Sequence, residues 1–465
     1  MKTLPMSLCV LSVAVASLSA APGDLVWSYA TGGPVRSSPA VADGRLYVTS
    51  GDTYLYCLDA DTGAFVWSYQ LNTGGYPEDS SPAVWSGYVY ANDIYGRVHC
   101  LNAETGAHVW SFEADNPTDG SPAVYGGCVY IGTYDGPYYC LNALTGDEVW
   151  ENDTAGRHVR ATIAIADDRL HFGAGMRILC RTAGTGSHVW LYSVPDIIWA
   201  SCAVSDGRVF TGCDDGKVYA VSASTGAFDW FYQTGDVVNS SAAIDRHRLF
   251  IGSNDNKLYS LDPRNGNLRW TYLTGGDVES SPAVSGDYVY FGSEDGMLYC
   301  IEGMGGAHVW HYDIGSPIVS SPASVGGRVY VGADDNSVYC FDAGASDPGD
   351  WPMFRHNLAR TGEHRPAPIF EVPLLEGWNL IGYGDCDSPD MPAHCVWFHD
   401  GVTELSWVAA ASWGWIQEPA YYHAGPAGYG TLGAYTGTWD DDSFRPGYGY
   451  WLLTFEPGLT LRMYR

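Results

Sequence analysis

Apolar residues along the chain fall in short runs of four to six, separated by Gly, Asp, Asn and Ser, without a sustained 3.6-residue period. Runs of this length bounded by turn residues predict strands and hairpins. The pattern also repeats. Trp27, Trp67, Trp110, Trp150, Trp190, Trp230, Trp270 and Trp310 follow one another at intervals of 40 residues, with one interval of 43. The copy ending at Trp310 is the clearest. It reads Ser280-Ser281-Pro282-Ala283-Val284, Tyr288-Val289-Tyr290-Phe291-Gly292, Leu298-Tyr299-Cys300-Ile301 and Val309-Trp310. We label these runs A, B, C and D. Four strands in about 40 residues form a propeller blade, so the fold class is all-β, an eight-bladed propeller of four-stranded blades.

The order of the runs predicts how the ring shuts. Run A occurs eight times, near residues 37, 80, 120, 161, 200, 240, 280 and 320. Run D also occurs eight times, but its first copy, Leu25-Val26-Trp27-Ser28-Tyr29, precedes the first A. The last C, from Val338 to Asp342, has no D after it. Pairing these two runs completes the last blade and removes the two sheet edges of an open array.

The turn between C and D reads Asp59-Ala60-Asp61-Thr62-Gly63 before Trp67, Asn102-Ala103-Glu104-Thr105-Gly106 before Trp110, and Asn142-Ala143-Leu144-Thr145-Gly146 before Trp150. This motif resembles the repeat of the pyrroloquinoline-quinone-type (PQQ-like) propeller family, over residues 24 to about 344. The resemblance implies that each of the eight tryptophans stacks on the glycine-bearing turn of a neighbouring blade and is structural. Quinoprotein dehydrogenases of that family hold PQQ and calcium on the propeller axis, with an acidic catalytic residue, an adjacent-cysteine disulfide and long pocket-building excursions. This chain has no Cys-Cys pair and its intervals leave no room for such excursions. No catalytic residue is therefore carried over, and no cofactor is expected; PQQ with calcium is the alternative. The regular repeats also resemble the outer-membrane assembly scaffold family, whose propeller binds other proteins without chemistry.

Charge narrows the partners. There are 53 acidic residues against 23 basic ones, a net charge of −30, which argues against nucleic acid or an anionic membrane surface. Residues 1–21 read as a signal peptide, with Lys2 followed by the apolar run Leu8 to Ala16 and small residues up to Ala20. That run is too short to span a bilayer, and Cys9 is not preceded by a lipobox. The expectation is a secreted or periplasmic protein without membrane insertion, its propeller at 22–345.

Beyond the propeller, Trp351-Pro352-Met353-Phe354-Arg355 to Thr361-Gly362 breaks the repeat. It resembles a motif that accompanies such propellers in secreted bacterial proteins, and residues 346–368 are expected to brace the ring and lead into a linker. Residues 369–465 lack the 40-residue period. Gly377-Trp378-Asn379-Leu380-Ile381 near their start and Gly449-Tyr450-Trp451 near their end resemble a small β-sandwich module of secreted bacterial proteins. Trp397, Trp407, Trp413, Trp415 and Trp439 are expected in its core, or as a carbohydrate-stacking platform.

Cysteines and histidines need separate treatment. Cys57, Cys100, Cys140, Cys180, Cys300 and Cys340 share one position of run C, where Ala220 and Ser260 stand in the other copies. A position shared with Ala and Ser suits a buried free thiol. Cys202 and Cys213 flank one hairpin and are either a pair or two thiols. Cys386 and Cys395 enclose a short loop and are expected to form a disulfide in an exported protein. A zinc site adding His394 and His399 is the alternative there. His108, His188 and His308 all precede Val-Trp, a repeat feature, so no metal site is assigned to them. The pairs Asp215-Gly216, Asp255-Asn256, Asp295-Gly296 and Asp335-Asn336 suit the left-handed turns between B and C.

One position escapes the repeat. Immediately before Ser-Ser in run A stand Arg36, Asp79, Asp119, Arg160, Trp199, Asn239, Glu279 and Val319. Run A lines the central channel of a propeller, so this row is expected at the channel mouth, with Arg157 and His158 beside it. Nucleophile-elbow, zinc-protease and phosphate-loop motifs are missing from the sequence. The functional expectation is an exported, non-catalytic scaffold with a protein or glycan partner. A PQQ-dependent oxidoreductase and a polysaccharide-binding protein are the alternatives.

Overall fold

The structure, a computed structural model, describes residues 21–73, 80–118, 120–245 and 247–344, positions 353, 354 and 357, and the strands between 368 and 464. By its internal contacts the chain divides into two units, Met1–His364 and Arg365–Arg465.

The first unit is a ring of eight antiparallel four-stranded sheets. Blade 1 comprises Ala40–Ala42, Arg45–Thr49, Tyr54–Asp59 and Phe65–Gln70 as strands A to D. Blades 2 to 7 repeat this order, ending with Ala283–Ser285, Tyr288–Gly292, Met297–Glu302 and His308–Asp313. Blade 8 takes A to C from Ala323–Val325, Arg328–Ala333 and Ser337–Asp342, and D from Leu25–Ala30. Trp27 lies opposite Cys340 and Ala30 opposite Ser337, so the first described strand closes the ring.

Burial follows strand position. Strand B is buried along nearly its whole length, because both its faces meet neighbouring blades. Strand D is an outer edge and alternates exposed with half-buried positions. The core consequently lies between blades: Phe210 and Trp230 of blade 5 share one cluster with Leu249, Ile251 and Leu258 of blade 6.

Strand A is shorter than its sequence run. Ser-Ser-Pro lies outside the strand in each blade that has it, and pairing with strand B starts at the alanine. Proline has no amide hydrogen for a ladder, and the serine amides bond elsewhere. Ser38 N donates to Ser81 Oγ at 2.9 Å, Ser81 N to Ser121 Oγ at 2.9 Å, and Ser121 N to Thr162 Oγ1 at 3.2 Å. The series continues through Thr162, Ser201, Ser241 and Ser281 to Ser321, whose amide donates to Ser38 Oγ at 3.2 Å. Eight hydrogen bonds, one per blade junction, form a closed belt around the channel.

At the outer radius the indoles cross the same junctions. Trp27 Nε1 donates to Ala60 O at 3.0 Å, Trp67 to Ala103 O at 3.1 Å and Trp230 to Pro263 O at 3.0 Å. A Cβ at Gly63 (φ +70°) would stand 2.6 Å from the Trp27 ring, so only glycine fits there. The blade 7–8 junction differs. Strand D of blade 8 comes from the other end of the chain. Gly23 covers the ring, with a Cβ position 2.9 Å from it, and Trp310 Nε1 has no hydrogen-bond partner among the described residues.

Met353 is buried in the cluster that joins blades 8 and 1, with Trp27 and Leu46. In the second unit, Pro368–Pro373, Thr460–Tyr464, Val396–His399 and Glu404–Ser406 form one antiparallel sheet. Gly377–Gly382, Gly449–Thr454, Ala420–His423 and Tyr429–Gly433 form another. Among the described residues no helix is long and apolar enough to cross a membrane.

Two outcomes test these joints. Trp230→Ala should cost ~3–5 kcal/mol and lower the thermal midpoint by roughly 5–15 °C; an unchanged melting curve refutes a structural role for the indole. Deleting residues 21–30 should bare the Ser337–Asp342 edge and abolish the single cooperative transition in calorimetry.

Candidate functional site

The connection from D to A and the turn from B to C meet at one end of each blade. The turn amide donates to a carbonyl of the connection: Tyr134 N to Pro117 O at 2.8 Å, Asp214 N to Ile197 O at 3.0 Å, Asn254 N to Val237 O at 2.9 Å and Glu294 N to Asp277 O at 2.9 Å. Among the described residues this bond places B–C turn residues close to the row that precedes Ser-Ser.

Arg160 and Trp199 are brought together. The Arg160 guanidinium lies 3.9 Å from the centroid of the Trp199 ring and 4.0 Å from that of Tyr134, one aromatic ring from each neighbouring blade. Contacts of this kind contribute about 0.5–2 kcal/mol each. Trp199 is anchored by Nε1 donating to Asp214 Oδ2 at 2.9 Å. His158 packs on Tyr134 at 4.4 Å between centroids, with Nδ1 against the Tyr134 carbonyl oxygen. Arg157 lies next to it, its amide donating to Thr154 Oγ1.

The opposite side of the ring is acidic. Glu279 Oε1 accepts from Asn254 Nδ2 at 3.1 Å and Asn239 Nδ2 at 3.4 Å. Arg36 forms a two-point ion pair with Asp334, both bonds 2.9 Å. Loss of solvation and the charges of Glu279, Asp277 and Asp334 raise the carboxyl pKa of Glu294. Loss of solvation, followed by Glu279 and Asp236, raises that of Asp277. Asp214 Oδ1, Asn239 Oδ1 and Asn254 Oδ1 are buried atoms with no hydrogen-bond partner among the described residues. The mouth thus combines a cation clamped between two rings with an arc of crowded carboxylates and unsatisfied acceptors.

Of the row, Arg36, Arg160, Trp199, Asn239 and Glu279 take part in these contacts, Val319 is half-buried without a polar role, and Asp79 and Asp119 lie outside the described residues. Sequence reasoning missed Tyr134, Asp214, Asn254, Glu294 and Asp334. Each directly precedes the repeated Asp of the B–C turn and varies between copies, which was the available signal. That Asp itself acts within the turn: Asp215 Oδ2 accepts from Tyr219 and Asp295 Oδ2 from Tyr299.

Nine cysteines among the described residues are free thiols, Cys202 and Cys213 included. Burial pushes Cys57, Cys100, Cys300 and Cys340 up to about 12, so they stay protonated and inert at neutral pH. Cys386 and Cys395, His394, the signal segment, and Trp407, Trp413, Trp415 and Trp439 lie outside the described residues. His108, His188 and His308 sit on separate D strands, and among the described residues no group of three or more His, Cys, Asp or Glu could hold a metal ion.

A comparison with curated proteins finds no match. Among solved structures, BamB from Moraxella catarrhalis is similar at a TM-score of 0.57 and 16% identity, covering 69% of this chain and 99% of that one. The computationally designed protein Ika8 is similar at 0.62 and 18%, covering 69% and 99%. The quinohemoprotein alcohol dehydrogenase from Comamonas testosteroni is similar at 0.58 and 16%, covering 70% and 77%. At these identities the likeness concerns the fold. A family model described as outer membrane protein assembly factor BamB matches residues 11–91, 57–197, 139–281 and 273–348. With most of its length matched, the chain belongs to this family of PQQ-type repeat propellers.

Proposed function

We propose that this protein is an exported, non-catalytic scaffold that binds another protein at the mouth of its central channel. The observation that supports this reading best is the mouth itself. Its acceptors without donors, Asp214 Oδ1, Asn239 Oδ1 and Asn254 Oδ1, and its crowded Asp277 and Glu294 suit a partner segment rich in N–H donors and positive charge. The family's description as an assembly factor fits such a role. In this reading residues 1–21 are a signal peptide, 22–345 the binding propeller, 346–368 a brace and linker, and 369–465 an appended β domain, and the protein works in the cell envelope or outside the cell.

The dehydrogenase likeness motivates a second reading, a quinone-dependent oxidoreductase. A flat quinone needs an open aromatic platform. The guanidinium over Trp199 and the bond from its Nε1 to Asp214 do not fit that use.

The two readings separate experimentally. Cross-linking and pull-down from the native envelope should recover a protein partner with the wild-type chain and lose it with Arg160→Ala and Trp199→Ala, both folded by circular dichroism. Wild-type recovery by both variants ends the mouth assignment. Dye-linked dehydrogenase activity after addition of PQQ and calcium would favour the second reading.

The carboxylate arc also sets a pH dependence. A carboxyl raised in the folded state binds more protons there than in the unfolded chain, so stability falls as pH rises above the ordinary range near ~4. Glu294→Gln should therefore raise the thermal midpoint at pH 7 and leave it unchanged near pH 3. The gain is small because the site is solvent-screened.

A further inference from the structure

We infer that the pocket between blades 1 and 2 binds a saccharide. This site stands apart from the channel mouth and does not depend on the function assigned to it.

The pocket lies where blade 2 replaces a pair of side chains that five of the blades share. In blades 1, 5, 6 and 7 a strand-C tyrosine donates to the turn aspartate: Tyr56 to Asp52 at 2.7 Å, Tyr219 to Asp215 at 2.5 Å, Tyr259 to Asp255 at 2.5 Å and Tyr299 to Asp295 at 2.7 Å. Tyr339 and Asp335 do the same in blade 8. In three of these blades the same carboxylate also accepts the amide of the incoming connection, from Gly32, Gly235 and Gly275. The pair fills the space between a turn and the preceding outer strand. Blade 2 has Tyr95 where the aspartate stands and His99 where the tyrosine stands. A cavity of about 530 Å³ opens there, lined by Tyr69 of blade 1 and by Asp93, Tyr95, Arg97 and His99 of blade 2. Its size is in the range of small-ligand sites.

Its chemistry points to a hydroxyl-bearing ligand with an apolar face. Asp93 is turned inward and 2% exposed. Its Oδ1 holds the turn by accepting Tyr95 N at 3.0 Å and Arg97 N at 2.9 Å. Its Oδ2 lies 3.7 Å from His99 Nε2, too far for a hydrogen bond. His99 is 3% exposed, yet among the described residues neither ring nitrogen has a hydrogen-bond partner. Buried groups left in this state lower stability, and a ligand that satisfies them binds at their expense. A carboxylate needs a donor, whereas a neutral imidazole needs one donor and one acceptor. Hydroxyl groups supply both. Tyr95, 48% exposed, stands at the rim as an aromatic surface for the C–H side of a sugar, and Tyr69, stacked on His108 and edge-on to His99, forms the wall. Arg97 is paired with Glu113 at 3.2 Å, so its charge is offset and an anion gains little here.

The test is calorimetric titration of the full chain with galactose, N-acetylglucosamine, maltotriose and chitotriose, and with spermidine as a cationic control. Saturable binding of at least one saccharide is expected, weakened roughly tenfold or more by Tyr95→Ala. The double variant Tyr95→Asp, His99→Tyr rebuilds the pair found in blades 1, 5, 6, 7 and 8. It should fold with at least the wild-type melting temperature and bind no saccharide. If the double variant fails to fold, Tyr95→Ala decides alone, since its side chain is half exposed. Failure of all four saccharides to bind, binding of spermidine alone, or undiminished saccharide binding in a folded variant overturns the assignment.

Discussion

Eight backbone amides around the channel each donate to a hydroxyl of the next blade, and the last of them, Ser321, donates to the first, Ser38. Each bond contributes on the order of 1 kcal/mol; their importance lies in being a closed set. An amide and a hydroxyl from adjacent blades must meet at every junction, so the spacing of the innermost segments is dictated all the way round. The requirement excludes large side chains from the second Ser position, where Ser and Thr alone occur. It also takes the two serines out of the strand ladder, which leaves strand A three residues long.

Variation is thereby pushed to two places, the residue before the belt and the B–C turn residue hydrogen-bonded to the same connection. Those positions carry the chemistry of the mouth. With a backbone nearly identical from blade to blade, the mouth differs from sector to sector in side chains alone: a guanidinium between Tyr134 and Trp199 on one side, and Glu279, Asp277 and Glu294 on the other. The same principle operates at blade 2, where Tyr95 and His99 stand in place of an Asp and Tyr whose bond is made in blades 1, 5, 6, 7 and 8, and a cavity opens beside them.

The seam shows what closure costs. At the other junctions the turn glycine covering an indole belongs to a continuous C–D hairpin, as Gly63 does for Trp27. At the seam that hairpin is cut, and Gly23 covers Trp310 from the far end of the chain. Packing is recovered and the hydrogen bond is not: Ala103 O accepts both the Tyr47 hydroxyl and the Trp67 indole, whereas Ala343 O keeps the Tyr290 hydroxyl at 3.1 Å and Trp310 Nε1 is without a partner among the described residues. Closure still removes both sheet edges, a larger gain than one indole bond.

The number of blades, the strand order within them and the closing strand were all legible in the sequence. Each depends on local periodicity and on counting runs, and a repeat multiplies a weak local signal eightfold. The row Arg36 to Val319 was legible as a set of positions for the same reason. What each residue does was not. That Arg160 stacks between Tyr134 and Trp199, residues 26 and 39 positions away, follows from how adjacent sheets are juxtaposed. That Asp334 answers Arg36 follows from the ring bringing the two ends of the chain together. The serine belt and the unpartnered His99 were invisible for a related reason. A hydroxyl in the sequence does not reveal which amide it will accept, and a buried polar group is recognised as unsatisfied only when every neighbour in space is known.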